Sequence, residues 1–139
     1  QGVDWVLFQS KGLELMRRRL GAATGAEAAS ILLETNDWNH LLILEGQDGV
    51  TIHSRNTETV HVQCMLEEIR QMIGLIDAAA VAVATAITLG LSVEETAHIT
   101  NAASECILVA DRTDRFVLRL DDMIDRIGEI AWSLQVSKR

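Results

Sequence analysis

Basic charge is scarce in this sequence. Twelve Lys and Arg stand against 20 Asp and Glu, and the net charge of -8 repels phosphate backbones and sets nucleic acid aside as a partner. The little positive charge there is gathers early, with Lys11, Arg17, Arg18 and Arg19 among the first 22 residues. Cysteine is nearly as rare. Cys64 and Cys106 lie far apart among largely apolar neighbours, and nothing at the N-terminus reads as a secretory signal, so the expectation is free thiols in a cytoplasmic protein. Long apolar runs are also missing. Between Met72 and Leu91 only Asp77 is charged, but the 14 residues that follow it fall short of the ~20 a membrane span needs. No Gly-x-x-x-x-Gly-Lys, His-Glu-x-x-His or Gly-x-Ser-x-Gly occurs, and no repeat or low-complexity segment is visible. His61 and Cys64 have no second pair to complete a metal site, so no metal is expected. The other histidines, His40, His53 and His98, read as solvated or locally satisfied.

What remains is one sizeable core in 139 residues, 48% hydrophobic. Val3 to Phe8 reads as a strand; Leu13, Met16 and Leu20 place a short helix behind it, with Arg17 to Arg19 at its negative end. Thr24 and Glu27 have capping-box spacing ahead of a helix bearing Ala28, Ile31, Leu32 and Thr35 on one face. After a turn at 36–39, Leu41 to Leu44 is a continuous apolar run, as in a strand covered on both faces. Asp48-Gly49 before Val50 to Ile52 suits a hairpin whose two central residues take positive φ. Val60 to Val62 reads as a brief edge strand, and Gln63 to Ile73 as an irregular passage to a turn at Gly74.

From about Asp77 to Leu89 a helix presents Ala80, Val83 and Ile87 on one face, with Gly90 at its left-handed end. Ser92 and Glu95 open a further helix, from Val93 to about Ala110, with a stripe of Ile99, Ala103, Cys106 and Ala110. The alternation of Thr96 to Thr100 keeps a strand open as an alternative. A turn at Asp111 to Asp114, a strand at Phe116 to Leu118 and a helix capped by Asp121 or Asp122 complete the chain. This last helix is striped by Ile124, Ile127, Ala131 and Leu134 and ends at Lys138 and Arg139. The order predicts an α/β fold: an open, mostly parallel sheet with helices on both faces and an antiparallel hairpin at its margin.

With these pieces in place, the chain resembles the C-terminal, nucleotide-binding part of the ribokinase family of carbohydrate kinases, the heptose kinase domains among them. Gly74-Leu75-Ile76-Asp77-Ala78 is similar to the family's Gly-Ala-Gly-Asp-Ala, Leu89 to Ala97 to its Gly-Leu-Ser link and following Glu-Glu, and Asn101-Ala102-Ala103 to its Asn-Ala-Ala. Leu44 to Val50 resembles its Thr-x-Gly-x-x-Gly turn. The resemblance covers nearly the whole chain, as a single domain fragment. It implies phosphoryl transfer from ATP to a sugar hydroxyl, with Mg2+, in which Asp77 is the base and the backbone N–H groups of Gly74, Leu75 and Ile76 form the anion hole. Gly46 and Gly49 would line the nucleotide side, with Asn101 nearby.

The departures bear on activity. Ile76 replaces the turn's second glycine, Ile73 and Leu44 replace threonines, and the family's Asn-x-x-Glu, due at Ser10 to Leu13, is absent. These changes imply a weak or inactive homologue. Without the resemblance, Asp77 is a helix-start residue favoured by the dipole. A non-enzymatic interaction or scaffold subunit, pairing through Val60 to Val62 with its own copy or another chain, is the rival reading. A roadblock-like dimer that docks on small GTPases is a third, and it requires strand at Ser92 to Ser104 in an antiparallel sheet.

Overall fold

The structure is a computed structural model that describes residues 3–69, 72–109 and 120–137, the last eight of these by backbone alone. The chain runs β1 (Trp5–Gln9), α1 (Ser10–Leu20), α2 (Gly25–Asn36), β2 (His40–Leu44), a 3-10 turn (Gly46–Asp48), β3 (Val50–Ser54), β4 (Val60–Val62), α3 (Leu75–Thr88), α4 (Val93–Val109) and α5 (Leu120–Ser137). The strands form one open sheet in the order β1-β2-β3-β4. β1 and β2 are parallel, with Leu7 opposite Leu42, and β3 and β4 add an antiparallel margin.

Both faces of the sheet are covered because successive side chains point opposite ways. Leu42 and Leu44, with Val50 and Ile52, pack under α3 and α4, while Leu41 and Ile43 meet Leu13 of α1 and Leu32 and Leu33 of α2. α1 leaves β1 with no intervening loop, and α2 starts at a Thr24 whose hydroxyl accepts the Glu27 N–H at 3.1 Å. The Glu27 carboxylate answers by accepting from Ala23 N–H at 2.8 Å, one residue earlier than a regular capping box. At Ser92 and Glu95 the box is reciprocal, both bonds at 3.1 Å.

Three local expectations are corrected. The hairpin after β2 has a wider turn than Asp48-Gly49 alone: Asp48 lies in the 3-10 turn, and the positive φ angles fall on Gly46 (59°) and Gly49 (99°). On α3, Ala80 is exposed and Ile87 is 46% exposed, whereas Ala78, Ala79, Ala82, Val83 and Ala86 face the core. The small side chains are the ones that let α4 approach. On α4, Ile99 and Cys106 are half-buried and the fully buried positions include Thr96, Thr100, Asn101 and Glu105, because this helix is enclosed by α3, the sheet and α5.

The helix Val93–Val109 and the parallel β1–β2 pair remove the strand at Ser92 to Ser104 and the antiparallel sheet on which the roadblock-like alternative depended. The turn at Asp111 to Asp114, the strand at Phe116 to Leu118, Ala110, Lys138, Arg139 and the side chains of Ala131 and Leu134 lie outside the described residues. Among the described residues no helix is long and apolar enough to cross a membrane.

Candidate functional site

Parallel strands that end together leave a crevice beyond their carboxyl ends. Here β1 ends at Gln9 and β2 at Leu44, and a cleft of about 550 Å³ opens beyond them. Ser10 and Lys11 of α1 line it on one side, Glu45, Gly46 and Gln47 form its lip, and Ile69, Met72, Ile73 and Leu75 wall the other side. Two helices therefore begin at this opening. Neither has a side-chain cap: α1 follows an extended Gln9, and α3 follows Gly74 at φ 83°. The first-turn N–H groups of a helix have no intrahelical acceptor, so they present partial positive charge to whatever lies in front. In α3 the Leu75 N–H turns back to the Met72 carbonyl at 3.3 Å. A β-carbon added to Gly74 would meet nothing within 4 Å among the described residues.

The lip is held by polar contacts. The Thr51 hydroxyl donates to the Glu45 carboxylate, His61 Nδ1 lies 2.7 Å from that hydroxyl and 3.6 Å from Glu45, and Gln47 Nε2 donates to the Glu67 carbonyl at 3.0 Å. His40 and His53 are used locally, His53 Nδ1 lying 3.4 Å from the Thr59 hydroxyl. His40 stacks on Trp5 with ring centroids 4.3 Å apart and bonds Ser54 at 2.8 Å, and burial pushes the imidazoles of both His40 and His53 down. Cys64 and Cys106 are free thiols; burial raises both, Cys106 to about 11.

Of the residues singled out from sequence, Gly46 and Leu75 line the cleft, and Gly74 sits between two lining residues, Ile73 and Leu75. Ile76 and Asp77 follow in the exposed first turn of α3 without lining it. Gly49 and Asn101 are elsewhere. Gly49 packs under the backbone of Val62 and Cys64, and Asn101 is buried in α4, donating to the Gln63 carbonyl and to Glu105, each at 3.4 Å. Sequence reasoning missed Lys11, Glu45 and Met72 as cleft residues. Lys11 carries the clearest signal after the fact, since it stands inside the stretch where the Asn-x-x-Glu was sought.

No family model matches the chain, and no curated protein shows significant similarity to it. Solved structures do. Phosphofructokinase-2 from Escherichia coli, in complex with substrates and products, superposes with a TM-score of 0.76 at 13% identity, over 94% of this chain and 42% of that one. Ribokinase from Thermotoga maritima gives 0.78 at 19%, over 90% and 42%. Arabidopsis thaliana ribokinase, complexed with ribose and ATP, gives 0.70 at 14%, over 89% and 40%.

The fold is ribokinase-like. This chain spans about two fifths of the length of those structures.

Proposed function

We propose that this chain is the nucleotide-side part of a ribokinase-like carbohydrate kinase homologue, of heptose-kinase type, in which phosphoryl transfer to a sugar hydroxyl is weak or absent. The observation that carries this reading is the cleft beyond β1 and β2, bounded by two uncapped helix starts and by Lys11. Such a place suits a phosphate-bearing ligand: backbone N–H groups and one cation converge on it. The residues present fit ATP there. Gly46 and its neighbours would meet the nucleotide, and the N–H groups of Gly74 and Ile76 would serve the terminal phosphates, joined by that of Leu75 once it leaves the Met72 carbonyl. Asp77 would stand where a hydroxyl proton is taken. ATP with magnesium supplies a transferable phosphoryl group, and Glu45 is the carboxylate at the lip. Gly49 and Asn101 act in this reading by shaping the wall rather than by touching ligand.

Weak turnover follows from what occupies the turn. Ile73 is 64% exposed in the cleft wall and Ile76 37% exposed in the first turn of α3 that follows it, and branched apolar side chains there hinder a phosphate and solvate it poorly. Met72 also reaches over the lip, its Cε 3.7 Å from a β-carbon built on Gly46. Thermal denaturation with ATP and magnesium tests binding. Nucleotide at ten times its dissociation constant stabilises by about 1.4 kcal/mol, an upward shift of a few degrees. No shift at millimolar nucleotide removes the binding claim. A coupled assay over a panel of sugars, on protein that includes the remaining half of the kinase fold, tests turnover separately, and brisk turnover would contradict the weak-homologue reading.

An interaction subunit is favoured by one observation. Val81, Ile87 and Leu89 leave large apolar side chains of α3 and its end in solvent. A monomer mass by light scattering at micromolar concentration counts against self-association through them.

A further inference from the structure

Glu105 sits in α4 and is wholly buried. A carboxylate there is tolerated only if donors surround it, and they come from three separate elements. Its Oε1 accepts from the Met65 N–H at 2.9 Å and from Arg126 Nη2 of α5 at 2.9 Å, with the Cys64 thiol 3.8 Å away. Its Oε2 accepts from Asn101 Nδ2 at 3.4 Å, and the same amide nitrogen reaches the Gln63 carbonyl at 3.4 Å. Arg126 is braced in turn by Glu129, at 2.8 Å from Nη1. One charge thus ties α5 and α4 to residues 63–65, the beginning of the β4–α3 connection. Ile69, Met72 and Ile73, which wall the cleft, belong to that same connection.

We propose that Arg126 is a positioning residue: by neutralising Glu105 it lets α5 hold the start of the β4–α3 connection, and through it the wall of the cleft, in place. Asn101 Oδ1 and Arg126 Nε lack partners among the described residues, so the network is not fully satisfied even with the guanidinium in place, and Arg126 supplies the one cationic donor that Glu105 has among them. The clasp stands on geometry alone; its consequence for ligand rests on the nucleotide reading of the cleft.

The test uses a Cys106→Ser background, which leaves Cys64 as the sole thiol of the chain. Arg126→Met removes the charge while keeping most of the side chain's bulk. It is expected to speed alkylation of Cys64 by N-ethylmaleimide about tenfold or more, to raise deuterium uptake in peptides covering 63–69, and to weaken ATP binding about threefold or more. Glu105→Gln combined with Arg126→Met removes both charges and is expected to return alkylation to within about threefold of the parent. Unchanged alkylation and exchange in Arg126→Met would overturn the proposal. So would a double variant as open as the single one, since lost packing and not charge would then be the cause. Should Arg126→Met fail to fold while the double variant folds, the charge argument is supported; failure of both overturns it. The two readings separate cleanly: a large alkylation response with no ATP binding in the parent sinks the nucleotide reading and leaves the clasp, and intact ATP binding with no alkylation response does the reverse.

Discussion

Gly49 shows how far away the reason for a residue can lie. A β-carbon there would fall 2.0 Å from the Val62 carbonyl oxygen and 2.8 Å from the Cys64 nitrogen, at φ 99°, so both the conformation and the crossing of backbones demand glycine. Gly46, three residues earlier, has positive φ too, but its nearest would-be neighbour is the flexible end of Met72 at 3.7 Å. Gly49→Ala is therefore expected to cost more than about 3 kcal/mol, and Gly46→Ala about 1 to 2 kcal/mol, compared by urea denaturation. Equal losses would refute the distinction. Glu14 gives a residue-scale prediction in pH. Side-chain bonds from Arg17 and Arg18 hold its carboxyl down at about 2, against 4.5 in the unfolded chain. Because the folded value is the lower, its ion pairs stabilise fully above pH 4.5 and are lost as pH falls toward 2. An NMR titration of the Glu14 carboxyl with a midpoint in the ordinary glutamate range would contradict this, as would a Glu14→Gln variant with unaltered acid sensitivity.

At the scale of elements, what could be read in advance is what is local. The Ser92 and Glu95 spacing is contained in four residues, and the two reciprocal bonds form as the spacing indicates. Ser92→Ala is expected to lose about 1 kcal/mol, with a midpoint lowered by several degrees, and no change in midpoint would show that the cap is idle. β2 was equally legible, since a continuous apolar run needs cover on both faces. Helix faces were not. α3 is apolar almost all round, so periodicity could not choose between Ala80 with Ile87 and the alanine side that meets α4. In α4 the buried Glu105 defied any apolar stripe, because its partner Arg126 is 21 residues away and only the fold brings them together. The hairpin turn failed for the same reason on a smaller scale: the backbone of β4, not the turn, dictates the glycine.

Across the whole molecule, the order of elements indicated an open sheet with a parallel pair and an antiparallel margin, and the cleft lies beyond the carboxyl ends of that pair, where β1 passes into α1 and β2 into the 3-10 turn. Gly46 and Leu75 could be anticipated there from motif order alone. Lys11, Glu45 and Met72 could not, since they reach the cleft from elements whose mutual placement is set by the core. Ile73 and Ile76 were marked in sequence as departures from the resembled turn, and only the structure shows both exposed beside the start of α3, with Ile73 in the cleft wall. The chain spans about two fifths of the length of its solved counterparts. The most direct measurement is a titration of the backbone amide resonances with ATP and magnesium. Saturable shifts at Gly46, Lys11 and the α3 start from Gly74 to Asp77, abolished for the most part by Lys11→Met, are the expected result. Unmoved resonances at those residues at millimolar nucleotide, or shifts confined to a different face, would contradict the account.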